Sequence, residues 1–126
     1  MKTSFLIAGI FLLIIFGIFL FFRMQEDSWI IDSRGVWVKH GNPSETPNYI
    51  FEQQQIISCA SSLFNNFTQE KNSQCLGTCG DYAIDLVHVP RTNEDNLVSN
   101  QCPAFLDKEV NHFLELDGNG SIIRIA

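Results

Sequence analysis

From Ser4 to Phe22 the chain runs nineteen residues without a charge, SFLIAGIFLLIIFGIFLFF. As a helix rising about 1.5 Å per residue, such a run reaches roughly 28 Å, close to the ~30 Å hydrocarbon core of a bilayer. A secretory signal peptide is the first rival. Its apolar region is shorter, about 7 to 15 residues, and ends at small residues, whereas this run leaves through Phe21, Phe22, Arg23 and Met24. The sequence therefore predicts an uncleaved transmembrane helix over residues 1–23, with the lipid bilayer as the partner of residues 4–22. A juxtamembrane linker follows over residues 24–28, and one small domain over residues 29–126.

The direction of the expected span rests on opposing signs. Lys2 precedes the run and Arg23, Arg34 and Lys39 follow it, which by the positive-inside rule holds the C-terminal side in the cytoplasm. Against this stand four cysteines in a small domain and two N-x-S/T triplets, Asn66-Phe67-Thr68 and Asn119-Gly120-Ser121, both features of exported chains. The expectation is a single-pass membrane protein with its C-terminal domain extracytoplasmic.

Charge narrows the partners. Beyond Arg23, six Lys and Arg stand against fourteen Asp and Glu, so residues 24–126 carry a net charge of −8. Nucleic acid is excluded, because phosphate binding needs a basic stripe. An unidentified protein or envelope component is the expected partner, with no cofactor. About 100 residues bury a single core and remove only some 60–70% of the unfolded surface from water, so covalent staples would help.

Periodicity supplies the elements. Trp29-Ile30-Ile31 and Val36-Trp37-Val38 are short β-prone runs around the turn composition Asp32-Ser33-Arg34-Gly35. Thr46 offers an N-cap with Pro47 at the first helical position. Ile50, Ile56, Ile57, Ala60, Leu63, Phe64 and Phe67 then recur at three- and four-residue steps, predicting an amphipathic helix of some five turns. The run Tyr82 to Val89 reads as a strand stopped by Pro90, and Arg91 to Gln101 as a polar loop. Val110 to Leu116 and Ile122 to Ile125 flank Asp117-Gly118-Asn119-Gly120, a hairpin signal. The predicted class is α+β: a transmembrane helix, then a two-layer domain of one helix on an antiparallel sheet, in the order β-α-β-β-β. In outline this resembles cystatin-like folds, a resemblance that implies no activity.

Cys59, Cys75, Cys79 and Cys102 are the disulfide candidates. Four cysteines permit three pairings, and a long-range bridge from Cys59 is preferred because longer loops constrain the unfolded chain more. A metal site using Cys75, Cys79 and Cys102 with His88 or His112 lacks the second C-x-x-C or H-x₃-H pair, so no metal is expected. Asp117 to Ser121 begins like a calcium loop, but Ile122 stands where glycine is required.

A thiol nucleophile needs a histidine to take its proton and a third group to orient that histidine. Cys79-Gly80-Asp81-Tyr82-Ala83, followed by His112-Phe113-Leu114-Glu115-Leu116, offers that order. These roughly ten positions resemble elements of transglutaminase-like folds, which implies a cysteine hydrolase with Cys79 as nucleophile and His112 as base. Here only about ten residues separate Cys79 from Pro90, too few for the long helix that follows the nucleophile in that family, and no downstream aspartate matches. A structural cystine and a sheet histidine account for the same residues. The carboxylates Asp85, Glu115 and Asp117 can gather near the sheet, although no spacing pairs two of them for acid–base work. The expected role is binding or envelope structure rather than catalysis.

Overall fold

A computed structural model describes residues 2–23, 27–67 and 73–126. The chain divides into two compact units: residues 1–30 with 38–45, and residues 31–37 with 46–126. In the first, helix α1 spans Lys2–Arg23. Among the described residues, no helix is long and apolar enough to cross a membrane. This corrects the expected single-pass span over residues 4–22, and with it the membrane localisation. Of the expected linker, residues 24–26 lie outside the described residues, as does Thr68 of one N-x-S/T triplet.

Strands β1 (Ser28–Ile31) and β2 (Trp37–His40) form a two-stranded sheet. In the first unit, the Trp29 indole N–H donates to the Glu45 carbonyl at 2.9 Å, and the Lys39 ammonium lies 5.6 Å over the Trp29 ring. The turn belongs to the second unit. There the Asp32 carboxylate accepts the backbone N–H groups of Arg34 and Val36, at 2.9 and 3.0 Å, and the Arg34 guanidinium at 2.7 Å. An aspartate that binds its own backbone two residues on is what fixes such a turn.

Helix α2 spans Asn48–Asn65. Pro47 occupies the N-cap in an extended conformation with no side-chain cap, one residue later than the Thr46 cap the sequence suggested. The apolar stripe behaves as expected: Ile50 and Ala60 are buried, and Ile56, Ile57, Leu63 and Phe64 pack on the core around Ile84, Leu114, Leu116 and Ile125. Burying side chains of this size contributes about 1.5–3 kcal/mol each.

The core sheet has four strands in the order β3 (Cys75–Cys79), β4 (Tyr82–Leu86), β5 (His112–Leu116), β6 (Ile122–Ile125). It is mixed, not antiparallel. β3 and β6 run antiparallel to their neighbours, while β4 and β5 are parallel, with Tyr82 opposite His112 and Asp85 opposite Glu115. A parallel pair needs a long crossover, and residues 87–111 supply one. The polar loop read from Arg91 to Gln101 is its first half. Two 3₁₀ turns, Glu94–Asn96 and Val98–Asn100, lead to the one-turn helix α3 (Pro103–Leu106). Ala83, Cys102 and Val110 form a second core cluster with Cys75, Ala104 and Phe105. One sheet face therefore meets α2, and the other is covered by the crossover.

Strand β3 carries an irregularity that decides the covalent frame. Cys75 pairs with Asp85 but Gly77 pairs with Ile84, so one extra residue sits on β3. A one-residue bulge reverses the alternation of side chains between faces. Cys75 and Cys79, four residues apart, would otherwise point the same way. With the bulge, Cys79 bonds Cys59 of α2 on one face and Cys75 bonds Cys102 of the crossover on the other. All four cysteines are paired, and the small domain is stapled by two disulfides.

Candidate functional site

Three strands place one charge each on the crossover face. Asp85 of β4, Glu115 of β5 and Arg124 of β6 are register partners across the sheet, so their side chains form a row. Arg91 descends from the crossover onto that row, its Nη1 donating to Glu115 Oε1 at 2.8 Å. Phe105 of α3 and Phe113 of β5 meet edge to face, with ring centroids 5.7 Å apart. Together with Asn100 and Gln101 these residues line a cleft of about 170 Å³ between sheet and crossover.

The polar groups in this cleft are unequally satisfied. Glu115 is 7% exposed and held by Arg91. The Asp85 Oδ1 atom is buried and accepts no hydrogen bond from any described residue. Burial pushes the Asp85 carboxyl up to about 6; the nearby Glu115 carboxylate adds to the rise, while the Cys102 N–H and Arg91 oppose it. The Arg124 guanidinium stacks 5.0 Å over the Phe113 ring, and among the described residues it makes no ion pair. Among the described residues, the same cleft is thus lined by a buried carboxylate oxygen with no hydrogen-bond donor and a guanidinium with no ion-pair partner.

Beside the cleft, Asp95 is the hub of the crossover. Its buried carboxylate accepts the Thr92 N–H at 2.7 Å, the His88 N–H at 3.2 Å, and the side chains of Gln74 and Thr92. The His88 ring nitrogen Nδ1 lies 2.8 Å from Asp95 Oδ1. Burial pushes the Asp95 carboxyl up, but these hydrogen bonds outweigh it and hold the group well below the usual carboxylate range. The sequence placed His88 on a strand with Ile84 and Leu86. In the structure β4 ends at Leu86, and His88 lies in the crossover, where its backbone N–H and ring meet Asp95. His88 also borders a wider hollow of about 710 Å³ with Ser73, Val89, Glu94 and Asp117.

The thiol hydrolase constellation is not assembled. The Cys79 sulfur is bonded to Cys59 and only 2% exposed, so it provides no thiolate. His112 stacks on Tyr82 at 4.9 Å and lies 3.8 Å from the Asp81 carboxylate. Glu115, three residues along the strand, points to the opposite face, as an odd spacing requires. Nor do the cysteines offer thiolates to a metal. The ligand atoms of Cys75, Asp85 and Cys102 lie within 4.8 Å of one another, but the two sulfurs are bonded together. Asp117 serves its own hairpin, accepting the N–H groups of Asn119 and Ser121 at 2.8 Å.

Of the three carboxylates that the sequence suggested could gather, two do. Asp85 and Glu115 meet because β4 and β5 are parallel and in register; no local spacing links Arg91 and Arg124 to them, so the sequence carries no signal for either. Comparison with protein families, with known proteins and with solved structures finds no match to this chain.

Proposed function

We propose that the stapled domain is a binding module whose site is the cleft beneath the crossover, and that its ligand is a small zwitterion with an ammonium end and a carboxylate end. The observation that carries this reading is the pair of unspent charges in one cleft, Asp85 Oδ1 and the Arg124 guanidinium. A buried acceptor without a donor costs about 1–3 kcal/mol, which a ligand ammonium would recover. A guanidinium offers a forked donor that suits a carboxylate. Phe105 and Phe113 supply apolar walls, and a volume of about 170 Å³ suits a molecule of amino-acid size.

The test is calorimetric titration of the full chain with glycine, β-alanine, γ-aminobutyrate and arginine at pH 7.5. At least one should bind, and Asp85→Asn and Arg124→Gln should each weaken it about tenfold or more, the loss of one charged contact. Binding of no zwitterion below about 10 mM, or binding unaffected by both substitutions, refutes the assignment.

A further inference from the structure

On the face of the domain that carries α2, a second concavity of about 360 Å³ lies between Trp37, Tyr49, Glu52, Gln53, Ile56 and Tyr82. It is built from aromatic rings held in fixed positions. The Trp37 backbone N–H donates to Gln53 Oε1 at 2.8 Å, and Gln53 Nε2 donates to the Gly35 carbonyl at 2.9 Å. One glutamine of α2 therefore clamps the segment bearing Trp37 from both sides. The Trp37 and Tyr49 rings lie 4.8 Å apart with their planes inclined at 48°, which opens a wedge. Tyr82 is backed by the His112 ring at 4.9 Å. Tyr49 remains 45% exposed.

The charge around these rings has one sign. Glu52 is the charged residue of the lining, and among the described residues no Lys or Arg lines the concavity and Glu52 makes no ion pair. Aromatic faces attract cations through their quadrupole, and a guanidinium also stacks flat against them. We propose that this wedge is a docking site for an arginine side chain on a basic segment of a partner protein, stacked on Trp37, Tyr49 and Tyr82 and paired with Glu52. The charge of −8 over residues 24–126 favours the approach of such a partner at long range. The site is separate from the charged cleft and does not depend on it.

Fluorescence of the full chain tests this directly. The protein has two tryptophans, so a Trp29→Phe background leaves Trp37 as the reporter. Acetyl-Gly-Arg-Gly-amide should change its emission saturably. The peptide with neutral citrulline in place of arginine should bind at least tenfold more weakly, and raising salt should weaken the arginine peptide. Glu52→Gln and Tyr49→Leu, both at exposed positions that preserve the helix, should each reduce affinity roughly three- to tenfold. Equal binding of the citrulline peptide or of acetyl-Gly-Phe-Gly-amide would show an apolar occupant and overturn the proposal. Indifference to both groove substitutions, absence of a saturable signal, or self-association that buries Trp37 in sedimentation experiments overturns it as well.

Discussion

Asp85 makes the domain less stable as the pH rises, and Asp85→Asn isolates that effect. The folded carboxyl titrates at about 6 against an ordinary value of 3.8. Its pKa is raised on folding, so between those values the native state holds a proton that the unfolded chain has released. Stability is complete below about pH 4 and falls as the pH climbs through 6. The full penalty at neutral pH is about 3 kcal/mol, from some two units at 1.36 kcal/mol each. Roughly 1 kcal/mol of it is already present at pH 4.5, because the unfolded carboxyl is mostly ionised there. Between pH 4.5 and pH 7.5 the wild-type chain should therefore lose about 2 kcal/mol more than Asp85→Asn, an upper bound because solvent entering the cleft screens the charge. Urea unfolding of both proteins at the two pH values measures this, and contributions from groups uncoupled to Asp85 cancel in the comparison. Equal pH dependence in the two proteins, or a steeper fall in the variant, would refute the claim that this carboxyl is buried without sufficient donors.

Two further outcomes concern the frame. Replacing Cys75 and Cys102 by alanine should cost about 3–4 kcal/mol in denaturant unfolding and free the crossover, while the Cys59–Cys79 pair should cost about as much, since their loops of 27 and 20 residues are similar. If reduction of the native protein leaves its unfolding midpoint unchanged, the staples are not holding the fold. Gly35→Ala should be among the most damaging single changes: φ is +86° there and an added Cβ would lie 2.2 Å from the Ile125 carbonyl oxygen. The left-handed backbone alone costs about 1–2 kcal/mol and overpacking typically 1–3 kcal/mol more, readable as a fall in Tm; a shift of less than a degree contradicts the close approach.

Local patterns were legible in the sequence, and long-range ones were not. The stripe from Ile50 to Phe64 yields α2 because an amphipathic helix is written in neighbouring residues. The Asp117 to Gly120 turn yields the β5–β6 hairpin for the same reason. Strand β3 escaped notice because Cys-Leu-Gly-Thr-Cys has weak strand character on its own. Its signal was Gly80 in the two-residue turn between Cys79 and Tyr82, where φ is +58° and a leading glycine suits the reversal. The parallel pairing of β4 with β5 could not be read locally, since it depends on where 25 residues of crossover settle. The charged cleft inherits that limit: Asp85, Glu115 and Arg124 are 30 or more residues apart at the extremes and meet only through strand register. Disulfide pairing turned on a single bulge residue, which alternation alone does not reveal.

The two disulfides overlap along the chain, one closing residues 59 to 79 and the other 75 to 102. Every peptide bond between Cys59 and Cys102 therefore lies inside at least one covalent loop. A protease that cuts once anywhere in that stretch, including the solvent-facing crossover, leaves a single molecule of unchanged mass but for one added water. The domain can be nicked without being divided, and the break becomes visible only when the sulfurs are reduced.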